Sequence, residues 1–111
     1  MLLVEADDEW RLARVQALRA RGLCVTSVAS VAEIVRWPSG LVVTHQTHSP
    51  LWWKHMGAIH VVVLADTREI GEAGCARGAS AWLPRWCGDD ELVRVIRQLS
   101  EHRAEPLGGG Q

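Results

Sequence analysis

The sequence contains no phenylalanine and no tyrosine, so six tryptophans supply all of its large aromatic side chains. It also lacks an excess of charge, because 12 basic residues (Lys and Arg) oppose 13 acidic residues (Asp and Glu). Without a basic block, we expect no direct binding of nucleic acid by this chain. No apolar run approaches the roughly 20 residues that a membrane-spanning helix requires, and no signal-like segment is visible. We therefore expect no association with a membrane.

Cysteine is scarce, and its three positions, Cys24, Cys75 and Cys87, lie far apart in the sequence. An odd number of widely spaced cysteines does not suit a disulfide framework, and reduced thiols in a cytoplasmic protein are expected instead. A redox role for Cys75 or Cys87 stays open beside the simpler role of a small buried side chain. The length of 111 residues fits one domain.

What the sequence does contain is a regular alternation of short apolar runs with helical patterns. In the first helical pattern, Leu12, Val15 and Leu18 form one apolar stripe, and Arg14 points away from it. We predict strands over residues 2–4, 23–28, 41–44, 59–64 and 79–83, helices over 9–21, 31–36, 67–77 and from Asp89 onward, and one or two helical turns over 50–56.

Local signals refine the boundaries of the two later helices. Asp66 followed by Glu69 resembles a capping box, which predicts that Asp66 caps the helix over 67–77. Asp89 is predicted to cap the last helix. Gly71 and Gly74 lie inside the helix over 67–77 and each weakens it by about 1 kcal/mol relative to alanine. We therefore expect that helix to be the least stable one.

Five short strands that alternate with helices predict an α/β fold with a parallel sheet and right-handed crossovers. For this length, the expected architecture is a three-layer α/β/α sandwich with a flavodoxin-like strand order, 2-1-3-4-5. We place this domain over residues 1–103. Residues 104–111 are rich in glycine and are expected to form a disordered tail.

Three motifs resemble those of a known family. Residues 2–8, Leu-Leu-Val-Glu-Ala-Asp-Asp, resemble its first strand and the acids that follow. Residues 21–30 resemble its second strand and the entry to its second helix. Residues 78–85, Gly-Ala-Ser-Ala-Trp-Leu-Pro-Arg, resemble its Gly-Ala-Asp-Asp-Tyr-Leu-x-Lys signature. On these motifs, residues 1–101 resemble the receiver domain of bacterial response regulators.

The resemblance implies a phosphorylation site at the carboxyl edge of the sheet. In a working receiver, an Asp after strand three accepts a phosphoryl group, and two acids after strand one hold Mg²⁺, which neutralises the developing charge. Here Glu5 stands for the first acid, whereas Ala6 occupies the position of the second. Asp7 and Asp8 follow closely. Glu5, Asp7 and Asp8 are thus weak candidates for a cation site, and a polar loop at a helix start is the alternative.

The remaining positions of the implied site have also changed. The phosphoacceptor position falls on His45, or on Thr44 if the register differs by one residue, and neither is Asp. Ala65 replaces the hydroxyl residue after strand four. Arg85 replaces the lysine after strand five, and Trp86 replaces the proline that usually follows. Arginine keeps the charge of lysine but not its compact geometry.

Histidine and tryptophan positions outside these motifs leave alternatives open. His45 and His48 have a spacing that could suit a transition metal, but no Cys pair and no nearby acid support it, so loop histidines at a strand end are the better interpretation. Trp82 occupies the position of the family's reporter aromatic and could simply fill space beside Ala65. Trp52 and Trp53 are adjacent, so one of them is expected on the surface, where exposed tryptophan suggests a binding site.

We therefore expect a receiver-like domain that has lost aspartyl phosphorylation, is not an enzyme and needs no cofactor. It would act by protein–protein contact, with a partner or with a second copy, in bacterial signalling or transcriptional regulation. One alternative is a small molecule or anion bound near Arg85 and His45; another is phosphorylation or catalysis through Asp7 or Asp8. The contact face that the resemblance implies comprises the family's fourth helix (here 67–77), fifth strand and fifth helix (the last helix), with Ile70, Ala73, Trp82, Trp86, Arg94 and Arg97.

Overall fold

The computed structural model describes residues 1–33, 40–46 and 60–104. In these residues five parallel strands form one sheet in the order β2-β1-β3-β4-β5, which confirms the predicted strand order. In chain order the elements are β1 (Leu2–Val4), α1 (Asp8–Ala20), β2 (Thr26–Val28), a 3₁₀ turn (Val31–Glu33), β3 (Leu41–Gln46), β4 (His60–Ala65), α2 (Arg68–Ala76), β5 (Ala81–Pro84) and α3 (Asp89–Ala104).

The two longest strands, β3 and β4, lie at the centre of the sheet and pair over six residues, from Leu41 opposite His60 to Gln46 opposite Ala65. Their valines are almost fully buried because both faces of a parallel sheet are covered by other parts of the protein. The strand β5 lies at one edge and pairs only with β4. These pairings bring the carboxyl ends of β1, β3, β4 and β5 to the same edge.

The helices cover opposite faces of the sheet, as a three-layer sandwich requires. On one face, α1 and α3 pack against the sheet through a cluster that includes Leu3, Leu18, Val43, Leu64 and Leu92. On the other face, α2 packs against β4 and β5. That second cluster contains Val61, Val63, Ala65 and Ala79, with Ile70, Cys75 and Trp82 at its margin.

The strand boundaries differ from the prediction by a few residues. The strand β3 continues through His45 to Gln46, where the prediction ended it at Thr44. The strand β2 begins at Thr26 rather than residue 23, and β5 begins at Ala81 rather than residue 79. The helix predicted over 31–36 is a 3₁₀ turn in its described part. The turns predicted over 50–56 and the tail over 105–111 lie outside the described residues, whereas Ala104 belongs to α3.

Two predictions about the faces of α1 are wrong. Leu12 is 59% exposed, although it was placed in the apolar stripe with Val15 and Leu18. Arg14 was expected to point away from that stripe, yet only 6% of it is exposed. Its burial is tolerated because its guanidinium binds Asp89 and the backbone carbonyl groups of Arg85 and Cys87.

The starts of α2 and α3 also differ from the prediction. Thr67, not Asp66, caps α2, and its hydroxyl oxygen accepts a hydrogen bond from the Ile70 amide. Asp66 instead contacts His45. The helix α3 begins at Asp89, so this residue lies in the first turn, and its carboxylate is bound by Arg14 rather than capping the helix.

The glycines of α2 have a packing role that their helix propensity does not show. A β-carbon at Gly71 would overlap Cδ2 of Trp82, and one at Gly74 would lie 3.3 Å from Cγ2 of Val63. Because the indole ring is rigid, Gly71 allows α2 to lie directly on Trp82. The predicted local weakening of α2 stays a prediction, but both glycines permit a close approach of helix and sheet.

Replacing Gly71 by alanine tests this packing. Alanine favours a helix by about 1 kcal/mol over glycine, but overpacking against Trp82 costs roughly 1–3 kcal/mol. Because the clash is with a rigid ring, the overpacking cost should lie in the upper part of that range, and we expect Gly71→Ala to lower the free energy of unfolding by about 1–2 kcal/mol, measured by urea denaturation. Gly88→Ala is the control, since no atom lies within 4 Å of the added methyl group. Equal stability of wild type and Gly71→Ala would contradict the packing role.

Candidate functional site

The candidate site lies at the carboxyl edge of the sheet, where α/β folds bind ligands. Glu5 follows β1, His45 is the penultimate residue of β3, and Arg85 follows β5. Val4 is paired with Thr44, so the next residue of each strand, Glu5 and His45, lies at the same level. Thr44 is buried beneath this edge, whereas the ring of His45 reaches Glu5. The structure thus places His45, rather than Thr44, in the site.

Glu5 is bound by the guanidinium group of Arg85. Arg85 donates from Nη2 to Oε2 of Glu5 at 2.9 Å and from Nε to Oε1 at 3.3 Å. The amide of Asp7 also donates to Oε2, at 2.9 Å. Glu5 is only 3% exposed, and two-point contact with arginine is a strong way to satisfy a buried carboxylate.

His45 bridges two carboxylates that belong to different parts of the chain. Its Nε2 lies 3.0 Å from Oδ1 of Asp66, and its Nδ1 lies 3.6 Å from Oε2 of Glu5. The first contact is a hydrogen bond. The second exceeds hydrogen-bonding distance and acts as an ion pair when the imidazole is protonated. The side chain of His45 is 11% exposed.

The pKa values of Glu5 and His45 shift in opposite directions, as expected for a pair that is charged together. Burial alone would raise the pKa of Glu5, but His45, the Asp7 amide and Arg85 outweigh it and lower the pKa from 4.5 to about 2. The pKa of His45 is raised, chiefly by Glu5 and also by Asp66, against the opposing effects of burial and Arg85.

Two residues of α1 that do not belong to the implied phosphorylation site, Trp10 and Arg14, contact Arg85; Trp10 was expected near the site and Arg14 was not. The guanidinium of Arg85 lies over the indole of Trp10, 4.8 Å from its centroid, in a cation–π contact. Arg14 donates to the carbonyl group of Arg85 at 2.8 Å and so fixes its backbone. The available signal was that Trp10 and Arg14 are four residues apart on α1 and therefore share a face.

The candidate cation ligands do not fit a magnesium site. The carboxylate of Glu5 is bound by Arg85, and residue 6 is alanine. Asp7 caps α1 by accepting from the Trp10 amide, and Asp8 pairs with Arg11 at 2.6 Å. Within residues 1–33, 40–46 and 60–104, no three His, Cys, Asp or Glu side chains are grouped to hold a metal ion. His48 lies outside the described residues.

The other predicted site residues do not all lie together: Arg97 donates from Nη2 to the carbonyl group of Arg21, the C-cap of α1, at 2.9 Å. Trp86 is 66% exposed, and Arg94 and Arg97 are also exposed. Ile70, Ala73 and Trp82 are half-buried, and Trp82 packs in the same cluster as Ala65. Trp52 and Trp53 lie outside the described residues. No described helix is both long and apolar enough to cross a membrane.

The two cysteines considered for redox chemistry are not activated. Burial raises the pKa of the half-buried Cys75 thiol and of the buried Cys87 thiol, which disfavours the reactive thiolate. Arg14 lies near Cys87 and opposes this effect without reversing it.

Comparison with known proteins identifies the fold. No protein-family model matches the sequence, and no curated protein matches it. Among solved structures, a response regulator receiver protein from Burkholderia phymatum is 17% identical, with a TM-score of 0.71, over 90% of this chain and 93% of that one. The orphan response regulator HP1043 of H. pylori is 17% identical, with a TM-score of 0.70, over 87% and 92%.

A third similar structure is that of NtrX from Brucella abortus in complex with ADP. It is 16% identical, with a TM-score of 0.71, over 91% of this chain and 26% of that one. These similarities establish that the chain has the flavodoxin-like fold of response regulator receiver domains.

The ion pair between Glu5 and Arg85 can be tested by mutation. Arg85→Ala leaves the buried carboxylate without its guanidinium partner, so we expect the free energy of unfolding to fall by roughly 3 kcal/mol. Arg85→Lys keeps the charge but not the two-point contact, and its loss should be intermediate. Arg68→Ala removes an exposed pair with Glu72 and serves as the control, with an expected change below about 0.5 kcal/mol. Similar small losses in both alanine variants would show that the pair contributes little.

Proposed function

We propose that this chain is a pseudo-receiver: a receiver-like module that does not undergo aspartyl phosphorylation and acts through contact with another protein. The observation that carries the proposal is the Glu5–Arg85 ion pair, with His45 beside it, at the edge where a receiver performs phosphoryl transfer. The receiver fold itself supports a place in bacterial signalling or transcriptional regulation.

The chemistry of these side chains supports the absence of phosphoryl transfer. An acceptor needs a free carboxylate, and the transferred group needs a cation to neutralise its charge. Glu5 is buried and bound on both oxygens by Arg85. His45 is held between two carboxylates, which favour its protonated form, and a protonated imidazole has no lone pair with which to attack phosphorus. Ala65 offers no hydroxyl group.

The alternative that uses Asp7 or Asp8 for phosphorylation or catalysis has less support. Asp7 is committed to the start of α1, and Asp8 to Arg11. We propose accordingly that the domain is not an enzyme and requires no cofactor.

Binding of an anion or small molecule in the vacated site is also disfavoured. Such a ligand would need the positive charge of Arg85, but Glu5 neutralises that charge and Trp10 covers one face of the guanidinium. A ligand would have to displace a buried carboxylate from its best partner. The geometry therefore favours a closed structural site over an open binding pocket.

The proposed contact face consists of α2, β5 and α3. The strand β5 is at the edge of the sheet, and Trp86 projects into solvent directly after it. Trp82 of β5 packs directly against Gly71 of α2, so the two elements lie side by side on this face. Trp86 is the proposed anchor, because tryptophan is enriched among residues that dominate binding energy. The partner is a protein, either a second copy or another signalling component, and not nucleic acid.

The absence of phosphorylation is tested with a small-molecule phosphodonor. After incubation with acetyl phosphate and millimolar Mg²⁺, we expect the intact mass to be unchanged, because His45 rather than Asp lies at the end of β3 and the described carboxylates at this edge do not form a magnesium site. A working receiver domain treated in parallel is the positive control. A mass increase of one phosphoryl group, retained in denaturant, would contradict the proposal, and Asp7→Asn and Asp8→Asn would then locate the acceptor.

The contact face is tested at Trp86. We expect the wild-type domain to self-associate with increasing concentration in sedimentation experiments. Trp86→Ala should weaken the complex by about 2 kcal/mol, roughly 30-fold in Kd, with little loss of fold stability. Leu12→Ala removes another exposed apolar side chain, on α1, and is the matched control. A strictly monomeric wild type together with an unfolded Trp86→Ala variant would show that Trp86 belongs to the core.

A further inference from the structure

His45 connects the site to the proposed contact face through Asp66. Asp66 is the residue directly before Thr67, the N-cap of α2. Thr67 accepts from the Ile70 amide through its side chain and from the Gly71 amide through its carbonyl group. The hydrogen bond between His45 and Asp66 therefore fixes the position from which the first turn of α2 is built.

The contact between α2 and β5 extends this connection to the surface. Gly71 lies in the first turns of α2 and receives the indole of Trp82. Ile70 lies next to Gly71, packs against the same cluster and belongs to the contact face. A shift of the β4–α2 connection would therefore alter the packing of Trp82 and the shape of the face.

The bridge made by His45 depends on its proton. The described charged groups around the imidazole are Glu5 after β1, Asp66 after β4 and Arg85 after β5. With His45 protonated, two positive charges balance two negative ones, and both ring nitrogens carry a hydrogen that points to a carboxylate. A neutral imidazole has only one N–H group and cannot serve both carboxylates. In the Nε2–H tautomer the imidazole keeps its hydrogen bond to Asp66 without the positive charge that strengthens it, and the ion pair with Glu5 is lost.

We propose that His45 is a proton-operated latch: the protonated ring holds the β4–α2 connection against the end of β1, and loss of the proton removes the ion pair with Glu5, weakens the hydrogen bond to Asp66 and loosens α2. The latch concerns the regulation of the contact face and in that respect rests on the proposed function. Glu5 keeps Arg85 and the Asp7 amide in either state, whereas Asp66 is partly exposed and has water available as a substitute. Asp66 is therefore the partner whose hydrogen bond to His45 weakens.

The direction of the pH dependence follows from the environment of His45. Its pKa is raised above 6.5, first by Glu5 and then by Asp66, despite burial and Arg85. A group whose pKa is higher in the folded state stabilises that state fully below its unfolded pKa, and this stabilisation is lost as the pH rises through the folded pKa. The latch is thus closed below about pH 6.5 and opens at higher pH.

Amide hydrogen exchange between pH 6 and 9, corrected for the intrinsic pH dependence of exchange, measures the latch directly. In the wild type, the opening of α2 should increase by up to about tenfold relative to that of α1, because the hydrogen bond to Asp66 loses the charge of its donor. His45→Gln should remove the dependence on pH, and Asp66→Asn should weaken it. His60→Gln is the matched control, because His60 begins β4 at the opposite end of the sheet, near Ser80.

The outcomes separate the latch from the proposed function. The same pH response of α2 in the wild type and in His45→Gln would overturn the latch, as would an imidazole of His45 that titrates below 6.5 by NMR. Self-association that persists unchanged across this pH range, with a constant exchange rate of α2, would overturn the latch and leave the contact face intact. A pH-dependent α2 in a domain that never associates would support the latch and contradict the contact face.

Discussion

The carboxylate of Glu5 needs a positive charge, and much of the carboxyl edge of the sheet is arranged to supply one. A carboxylate that is 3% exposed is costly unless it is paired and hydrogen-bonded. Arg85 provides the pairing, Trp10 covers the guanidinium, and Arg14 holds its backbone. His45 adds a second cation and brings Asp66 with it. In the proposed pseudo-receiver, side chains supply the positive charge that a metal ion supplies at this edge of a working receiver.

Under the proposed function, several differences from the receiver pattern have one electrostatic reason. Lysine would offer a single ammonium group, whereas arginine spans both oxygens of Glu5. An acceptor Asp in place of His45 would put another negative charge beside Glu5 without a metal ion to balance it. The substitutions at residues 45 and 85 are consistent with one electrostatic solution.

Sequence reasoning predicted the sheet and failed where side chains of distant elements meet. The strand order followed from apolar runs and alternation, which are local properties. Arg14 looked like a surface residue because helical periodicity cannot show that two carbonyl groups, at residues 85 and 87, lie above it. Asp66 looked like a cap for the same reason, since its actual partner, His45, is 21 residues earlier. The site positions at residues 5, 45, 65 and 85 were identified by resemblance, but their contacts needed the tertiary structure.

The two hydrogen bonds that Arg14 makes to the loop between β5 and α3 have a consequence for recognition. They fix the carbonyl groups of Arg85 and Cys87, the two neighbours of Trp86, and Cys87 also closes a turn by donating its amide to the Pro84 carbonyl at 3.0 Å. The backbone that carries the exposed indole is therefore ordered before any partner arrives. Little conformational entropy of this backbone would be lost when a partner binds. A complex formed here should therefore dissociate slowly.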